Sequence, residues 1–550
     1  MIKQSIKLTS LMLLITGISL TGCSSMEENT KNVKSKVVVA DYRARGILAK
    51  SLPEIAEALK KGEIASQALV LLYLERINAI DKHGPTLQAV LSINPDVLAE
   101  AKKLDQMRAA GKLKGPLHGV PILLKDNIET VDNMATTAGA LALKDNVTGR
   151  DSPLVAGLRR QGALILGKTN LSQWANFRSE NSMSGWSALG GQVRNPHMLD
   201  RNPCGSSSGS GAAAVASLAA GTVGTETNGS ITCPANANGV VGFKPTVGIV
   251  PQQYIIPISA SQDTAGPMTK TVMGAAMMMN AMATTTPEID YTSLLNKNAL
   301  KGIRVGVLNF AKGGFQPILD RFNTALKDLT DAGAILVEIN DSPARPKDFG
   351  KRSYDLLKYE FKDGLNAYLA STSSDQVKTR TLKELIDFNV KHADVELALF
   401  DQSILLASEA MDSLESLDYK KSVEVVQKAT REDGIDRLMK DNNVTVLVSP
   451  SGPIVPRVDH INGDVWPGDW PGYGSAAAIA GYPHATVPMG GVRSLPVGLS
   501  FIGGKNTDTE ILAYAYAYEQ QSKRRLTPQY LKSAEDIPAV AKATKPYSED

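Results

Sequence analysis

The chain has 550 residues, 43% of them hydrophobic and 21% charged, which are the proportions of a folded globular protein and exclude a disordered or fibrous one. Its 59 basic residues nearly balance its 56 acidic ones, so the net charge of +3 leaves no electrostatic footprint for nucleic acid. Three cysteines cannot build a disulfide scaffold and no repeat of solenoid length is present, which leaves a near-neutral chain long enough for one large enzymatic domain.

The first segment reads as an address. Lys3 and Lys7 flank the start of an apolar run over residues 8–20, which is too short to span a bilayer as a helix and fits the core of a signal peptide. Leu20-Thr21-Gly22-Cys23 then resembles a bacterial lipobox, in which the thiol is acylated and the chain is cut before the cysteine. The expectation is a signal peptide over 1–22, a lipidated Cys23 and a polar tether over 23–43, with the lipid anchor as the only membrane contact. Ser24 and Ser25 lack the aspartate of an inner-membrane retention signal, so an envelope protein held on the outer membrane is expected if the host is Gram-negative.

Helical periodicity marks residues 52–61, 65–80 and 96–110. Short apolar runs at 120–124, 163–166, 240–243 and 303–308 then alternate with helical stretches at 152–160 and 212–219, the pattern of an α/β sheet core flanked by helices on both faces. A charge-rich helical stretch at about 317–440 follows. Strand-like runs return at 444–448, 485–488 and 497–502 before a closing helix at 509–521, so the helical stretch reads as an insertion. A single domain over 44–530 with a tail over 531–550 is the expected organisation.

Two motifs match a pattern without its context. Residues 162–169, GALILGKT, match the phosphate loop, yet the four intervening residues Ala-Leu-Ile-Leu are themselves strand and cannot curl around an anion. Lys168 is accordingly read as structural. Residues 205–209, GSSSG, match the G-x-S-x-G elbow, which requires a strand entering it, whereas Asn195-Pro196 and Asn202-Pro203 mark a loop. His460 and His484 lie downstream and keep a Ser-His-Asp esterase centred on Ser207 open as an alternative. The six histidines show no metal-binding spacing, so neither a metal nor a cofactor is expected.

Three further pieces carry chemistry. Lys125 ends the apolar run 120–124, as either a solvated strand end or a desolvated amine. The run 204–211, CGSSSGSG, enters a small-residue helix without a linker's spacing. Residues 224–234, GTETNGSITCP, read as a tight turn able to present backbone N–H groups beside the Ser230 hydroxyl, either as an oxyanion hole or as a plain surface turn. Neither serine-bearing segment holds a histidine, so a base for a serine would be an amine, and burial is what makes an amine neutral enough to accept a proton.

These segments, in this order, resemble the amidase signature family, and more narrowly its bacterial peptide amidases. Flanking stretches agree: 115–127 (GPLHGVPILLKDN), 167–176 (GKTNLSQWAN), 239–246 (GVVGFKPT) and 261–267 (SQDTAGP). The resemblance implies a mixed β-sheet and a serine amidase. Ser230 would be the nucleophile and Lys125 the base. Ser206, 24 positions before Ser230, would be the bridging serine, held by a cis peptide bond in the family, with Thr227, Asn228 and Gly229 forming the oxyanion hole. The implied substrate is a small amide or peptide amide, as C-terminal peptide amides or other primary amides releasing ammonia. Aryl or N-substituted amides, or a non-catalytic envelope lipoprotein of the same fold, are the alternatives. Asn228 and Thr232 depart from the Gly and Arg of many family members. Cys204 and Cys233 are read as two small buried hydrophobes in preference to a pair, and the loop 465–474, with Trp466, Trp470 and Tyr473, as either a binding groove or a packed surface loop.

Overall fold

In the computed structural model, which describes residues 42–546, the apolar runs become strands of one eleven-stranded sheet. In chain order the strands are β1 (Val90–Ile93), β2 (Pro121–Lys125), β3 (Leu164–Thr169), the short ribbon β4 (Trp186–Ser187) and β5 (Gly191–Gln192), β6 (Gly221–Glu226), β7 (Val241–Lys244), β8 (Thr264–Thr269), β9 (Arg304–Leu308), β10 (Ile335–Ile339), β11 (Val446–Pro450), β12 (His484–Val492) and β13 (Leu495–Ile502). The sheet runs β1-β3-β2-β6-β8-β7-β12-β13-β11-β9-β10. Strands β3, β2 and β6 are parallel, as are β11, β9 and β10, and the strands between β6 and β11 pair antiparallel.

Every position of β2, β3, β6, β7, β8 and β11 is buried, which only a sheet covered on both faces can achieve. The expected α/β architecture, with a mixed sheet between helices, is the one observed. The helices Leu52–Lys60, Ser66–Arg76, Val97–Ala109, Pro153–Arg160 and Asp508–Ser522 fall within a few residues of their periodic patterns. Burying their aliphatic side chains against the sheet contributes about 1.5–3 kcal/mol for each large one.

Two places differ from the sequence pattern. The stretch 317–440 contains β10, which pairs parallel with β9 across the helix Gln316–Asp331 as a βαβ unit. Strands β6 and β8, GTVGTE and TAGPMT, carry too few aliphatic residues to register as strands. The helices from Phe349–Ser371 to Leu382–Lys391 then form their own apolar cluster, in which Phe361, Leu365 and Leu385 pack with Trp174 and Phe177. Past residue 530 the chain stays attached to the body, with Leu199 N donating to Leu531 O at 2.7 Å. The phosphate-loop look-alike is β3, and Lys168 spends its ammonium on Ile128 O and, at 2.9 Å, on Thr136 Oγ1.

Cys204 and Cys233 are joined in a disulfide, with Cα atoms 5.9 Å apart, which corrects their reading as two separate hydrophobes. The turn that starts the helix Thr232–Asn238, closed by Cys233 N donating to Gly229 O at 2.8 Å, brings the second cysteine beside the loop that holds the first. Met198, Ala237, Val455 and Leu495 surround the bond. The two cysteines are 29 positions apart, and closing a loop of that size removes about 3–4 kcal/mol of unfolded-chain freedom. Denaturation with and without reductant is expected to show a loss of that order, matched by Cys233→Ser without reductant. Equal midpoints in all three cases would contradict the pairing.

Candidate active site

Lys125 is the last residue of β2, wedged between β3 and β6, and it is wholly buried. Its Nζ donates to Ser206 Oγ at 2.7 Å, to Thr225 Oγ1 at 2.9 Å and to Thr225 O at 3.2 Å. Burial pushes the amine down to about 7, against the opposing pull of Asp263 and Glu226. Asn127 Nδ2 donates to the same Thr225 hydroxyl at 3.0 Å. Thr225 therefore positions the amine, and sequence reasoning passes over it although it sits inside the segment that carries Ser230.

Ser206 follows a cis Gly205–Ser206 peptide bond at the entry of the helix Ser208–Ala216, whose residues are all buried and, Val215 apart, are only Ser, Gly and Ala, which lets it lie close to the strands. Ser206 O accepts from Ser172 N at 3.1 Å, and the next residue, Ser207, donates from its N to Ser230 O at 3.2 Å. The Ser206 loop and the Ser230 turn thus lie side by side. Ser207 is otherwise spent: its Oγ donates to Thr225 O at 3.0 Å and accepts from Thr225 N at 3.1 Å. Neither downstream histidine reaches it. His484 Nε2 shares a 2.7 Å hydrogen bond with Ser500 Oγ, and burial drives its imidazole down to about 3, while His460 is exposed.

The Ser230 turn is pinned at both ends. Glu226, the last residue of β6, accepts at one oxygen from Ile231 N at 2.7 Å, Thr232 N at 2.9 Å and Thr232 Oγ1 at 3.3 Å, folding the chain back into the helix Thr232–Asn238. Thr227 Oγ1 donates to Asp263 Oδ1 at 2.5 Å, and Asp263 is held in turn by Ile258 N and Ser259 N at 2.8 and 3.0 Å. Asn228 Nδ2 crosses to Ser475 Oγ at 3.1 Å. Gly229 has φ +82°, a left-handed conformation that a side chain would strain. Among the described residues, the N–H groups of Thr227, Asn228, Gly229 and Ser230 donate to no protein acceptor. Ser230 keeps 8% exposure while Ser206 and Lys125 have none, so the three step inward from the surface.

A cavity of about 380 Å³ opens over this turn, lined by Gly205, Asn228 and Gly229 on one side and by Asp464, Trp466 and Trp470 on the other. The loop 465–474 divides its roles. Trp466 and Trp470 face the cavity, with ring centroids 5.0 Å apart, whereas Tyr473 packs inward against Phe310. A larger cavity of about 870 Å³ lies along Pro467, Gly468 and Asp469 of the same loop, with Phe315, Ile318 and Val455; Lys125, Ser206 and Ser230 line neither cavity, and the smaller one adjoins them through Gly205, Asn228 and Gly229. Sequence reasoning leaves out Thr225, Glu226 and Asp263; the last two show no signal beyond their place in the TET and SQDTAGP segments.

The chain is similar to the crystal structure of native peptide amidase from Stenotrophomonas maltophilia, at 42% identity and a TM-score of 0.81, over 88% of this chain and 98% of that one. It is also similar to the crystal structure of an amidase family protein from Bacillus anthracis, at 33% identity and a TM-score of 0.78, over 88% of this chain and 93% of that one. It is 36% identical to a protein of Arabidopsis thaliana described as a probable amidase, over 88% of this chain and 91% of the relative. These relatives correct the expected lipid-anchored envelope location, since all three are described as amidases and none of them as an anchored envelope protein. Cys23 and the expected signal peptide lie outside the described residues, and among the described residues no helix is long and apolar enough to cross a membrane. The family model described as Amidase matches residues 68–512. The chain therefore belongs to the amidase signature family and is an amidase, an enzyme that hydrolyses amide bonds.

Proposed function

We propose that the chain hydrolyses the C-terminal amides of peptides, or other primary amides, through a Ser230–Ser206–Lys125 relay, releasing ammonia. The observation that carries this is the 2.7 Å contact between Lys125 Nζ and Ser206 Oγ, made by an amine that burial holds near neutrality. A neutral amine has two N–H groups and one lone pair. The charged amine donates to Ser206 Oγ as well as to Thr225 O and Oγ1; once it loses the proton on the Ser206 side, its two N–H groups stay on Thr225 and its lone pair faces the Ser206 hydroxyl.

Ser230 Oγ attacks the amide carbon while its proton passes to Ser206 Oγ, and the Ser206 proton passes to Lys125. The carbonyl oxygen takes the negative charge and is met by the N–H groups of Thr227, Asn228 and Gly229, each strong donor contributing about 3–4 kcal/mol. The relay then runs outward, Lys125 returning a proton through Ser206 to the departing nitrogen, and the C–N bond breaks as ammonia leaves. Water then attacks the ester carbon and gives a proton through Ser206 to Lys125, and the relay returns that proton to Ser230 Oγ as the ester C–O bond breaks and the free acid leaves. Two features support a peptide-amide substrate: the peptide amidase of Stenotrophomonas maltophilia at 42% identity, and a cavity walled by Trp466 and Trp470 whose size suits a short peptide end.

Ammonia release from peptide amides is expected from the purified chain and to fall at least about 10⁴-fold in Ser230→Ala and in Lys125→Ala. His460→Ala and His484→Ala are expected to retain it. Release that survives Ser230→Ala would contradict the assignment. Because the base acts as the neutral amine, kcat/KM is expected to rise with pH through about 7, as Lys125 loses its proton, and to level above it. A profile that is flat across that value, or that falls with rising pH, would remove Lys125 from the role.

A further inference from the structure

The cavity beside the Ser230 turn is lined by amides, hydroxyls, glycines, the disulfide and two tryptophans, and by a single ionisable side chain, Asp464. All of the carboxylate's hydrogen bonds come from neutral donors. Oδ1 accepts from Asn202 Nδ2 at 2.7 Å, and Oδ2 accepts from Ser184 N at 3.1 Å and Trp466 Nε1 at 3.3 Å. Among the described residues no lysine, arginine or histidine forms an ion pair with it. Three neutral donors fix the direction of a carboxylate without neutralising it. A negative charge out of bulk water with no cation is costly to hold, and a charge of the opposite sign brought by a ligand relieves that cost. The neighbouring walls suit the same ligand. Trp466 and Trp470 meet edge to face at 63°, and indole faces attract an ammonium or guanidinium.

We propose that Asp464, with Trp466 and Trp470, forms a subsite for a positively charged group of the substrate, so that the preferred amides carry an ammonium or guanidinium. The inference rests on the amide-hydrolysis reading of the same cavity. Asp464 is a specificity residue within it: it touches the substrate away from the amide bond, and the carboxylate acts through affinity.

The test compares N-acetyl-lysinamide with N-acetyl-norleucinamide, which exchange an ammonium for a methyl group, and includes phenylalaninamide for its free α-ammonium. In the unaltered chain the cationic amides are expected to have the lower KM. In Asp464→Asn, which keeps an acceptor for the loop, the cationic-to-neutral ratio of kcat/KM is expected to fall about 10-fold or more through KM, and Asp464→Glu is expected to recover part of it. If all the amides lose alike, or none loses, the carboxylate only fastens the loop and the proposal is overturned. Benzylammonium binding to Ser230→Ala, measured by calorimetry against benzyl alcohol, needs no turnover and separates this proposal from the hydrolytic one. A preference for the ammonium that disappears on adding Asp464→Asn supports the subsite even if no amide is cleaved, and equal binding of the two probes overturns it even if amides are cleaved.

Discussion

One desolvated amine sets the terms for the rest of the site. Lys125 ends a strand buried at every position, and taking its charge out of water is what brings it to about 7. Burial alone is not the device, because three other lysines share it. Lys168 and Lys244 are lowered to about 8 and Lys270 to about 7, each mainly by burial. Their nitrogens end on acceptors that lead nowhere: Lys168 on Ile128 O and the Thr136 hydroxyl, Lys244 on Pro245 O at 3.0 Å, Lys270 on Leu48 O and Lys50 O at 2.8 and 3.0 Å. Lys125 alone of the four meets a serine hydroxyl, and the backbone after that serine is tied to Ser230. On the proposed relay, what would set the base apart from a structural lysine is the atom placed next to it.

That placement depends on two segments far apart in sequence being held at fixed spacing. Glu226 folds the Ser230 turn back on itself through Ile231 N and Thr232 N, and Asp263 holds Thr227 from the other side. The disulfide between Cys204 and Cys233 ties the loop before Ser206 to the helix after Ser230, and both of its cysteines form part of the cavity wall. Thr225 serves both sides, capping the Lys125 amine and binding the Ser207 hydroxyl. Among the described residues the turn's N–H groups keep no protein acceptor, and Asn228 and Gly229 border a cavity whose far wall is the Trp466–Trp470 loop, so the proposed chemistry and recognition surface would lie on opposite sides of one opening.

How much of this the sequence discloses depends on what each feature leaves in it. β2 and β3 are legible because Ile122–Leu124 and Leu164–Leu166 are apolar runs, and the closing helix because its apolar positions recur at helical spacing. β6 and β8 are not, since their glycines and threonines are chosen to let neighbouring segments approach, and β10 is masked by the helices around it. Lys125, Ser206 and Ser230 stand out by segment resemblance, while Thr225, Glu226 and Asp263 act by fastening the others and carry no pattern of their own. The cysteine pairing escapes the sequence because 29 residues of separation say nothing about distance until the turn at Gly229 is known. The tryptophan loop is undecidable for a similar reason, and the fold splits it, sending Tyr473 inward and Trp466 and Trp470 to the cavity.

The central claim is that a near-neutral Lys125 activates Ser230 through Ser206. Its most direct test is to treat the chain with a serine-directed fluorophosphonate and locate the adduct by peptide mass spectrometry, following the labelling rate against pH. The account predicts a single adduct on the peptide carrying Ser230, forming faster as pH rises through about 7 and lost in Lys125→Ala. An adduct on Ser207, or labelling of Ser230 that is indifferent to the loss of Lys125, would contradict it.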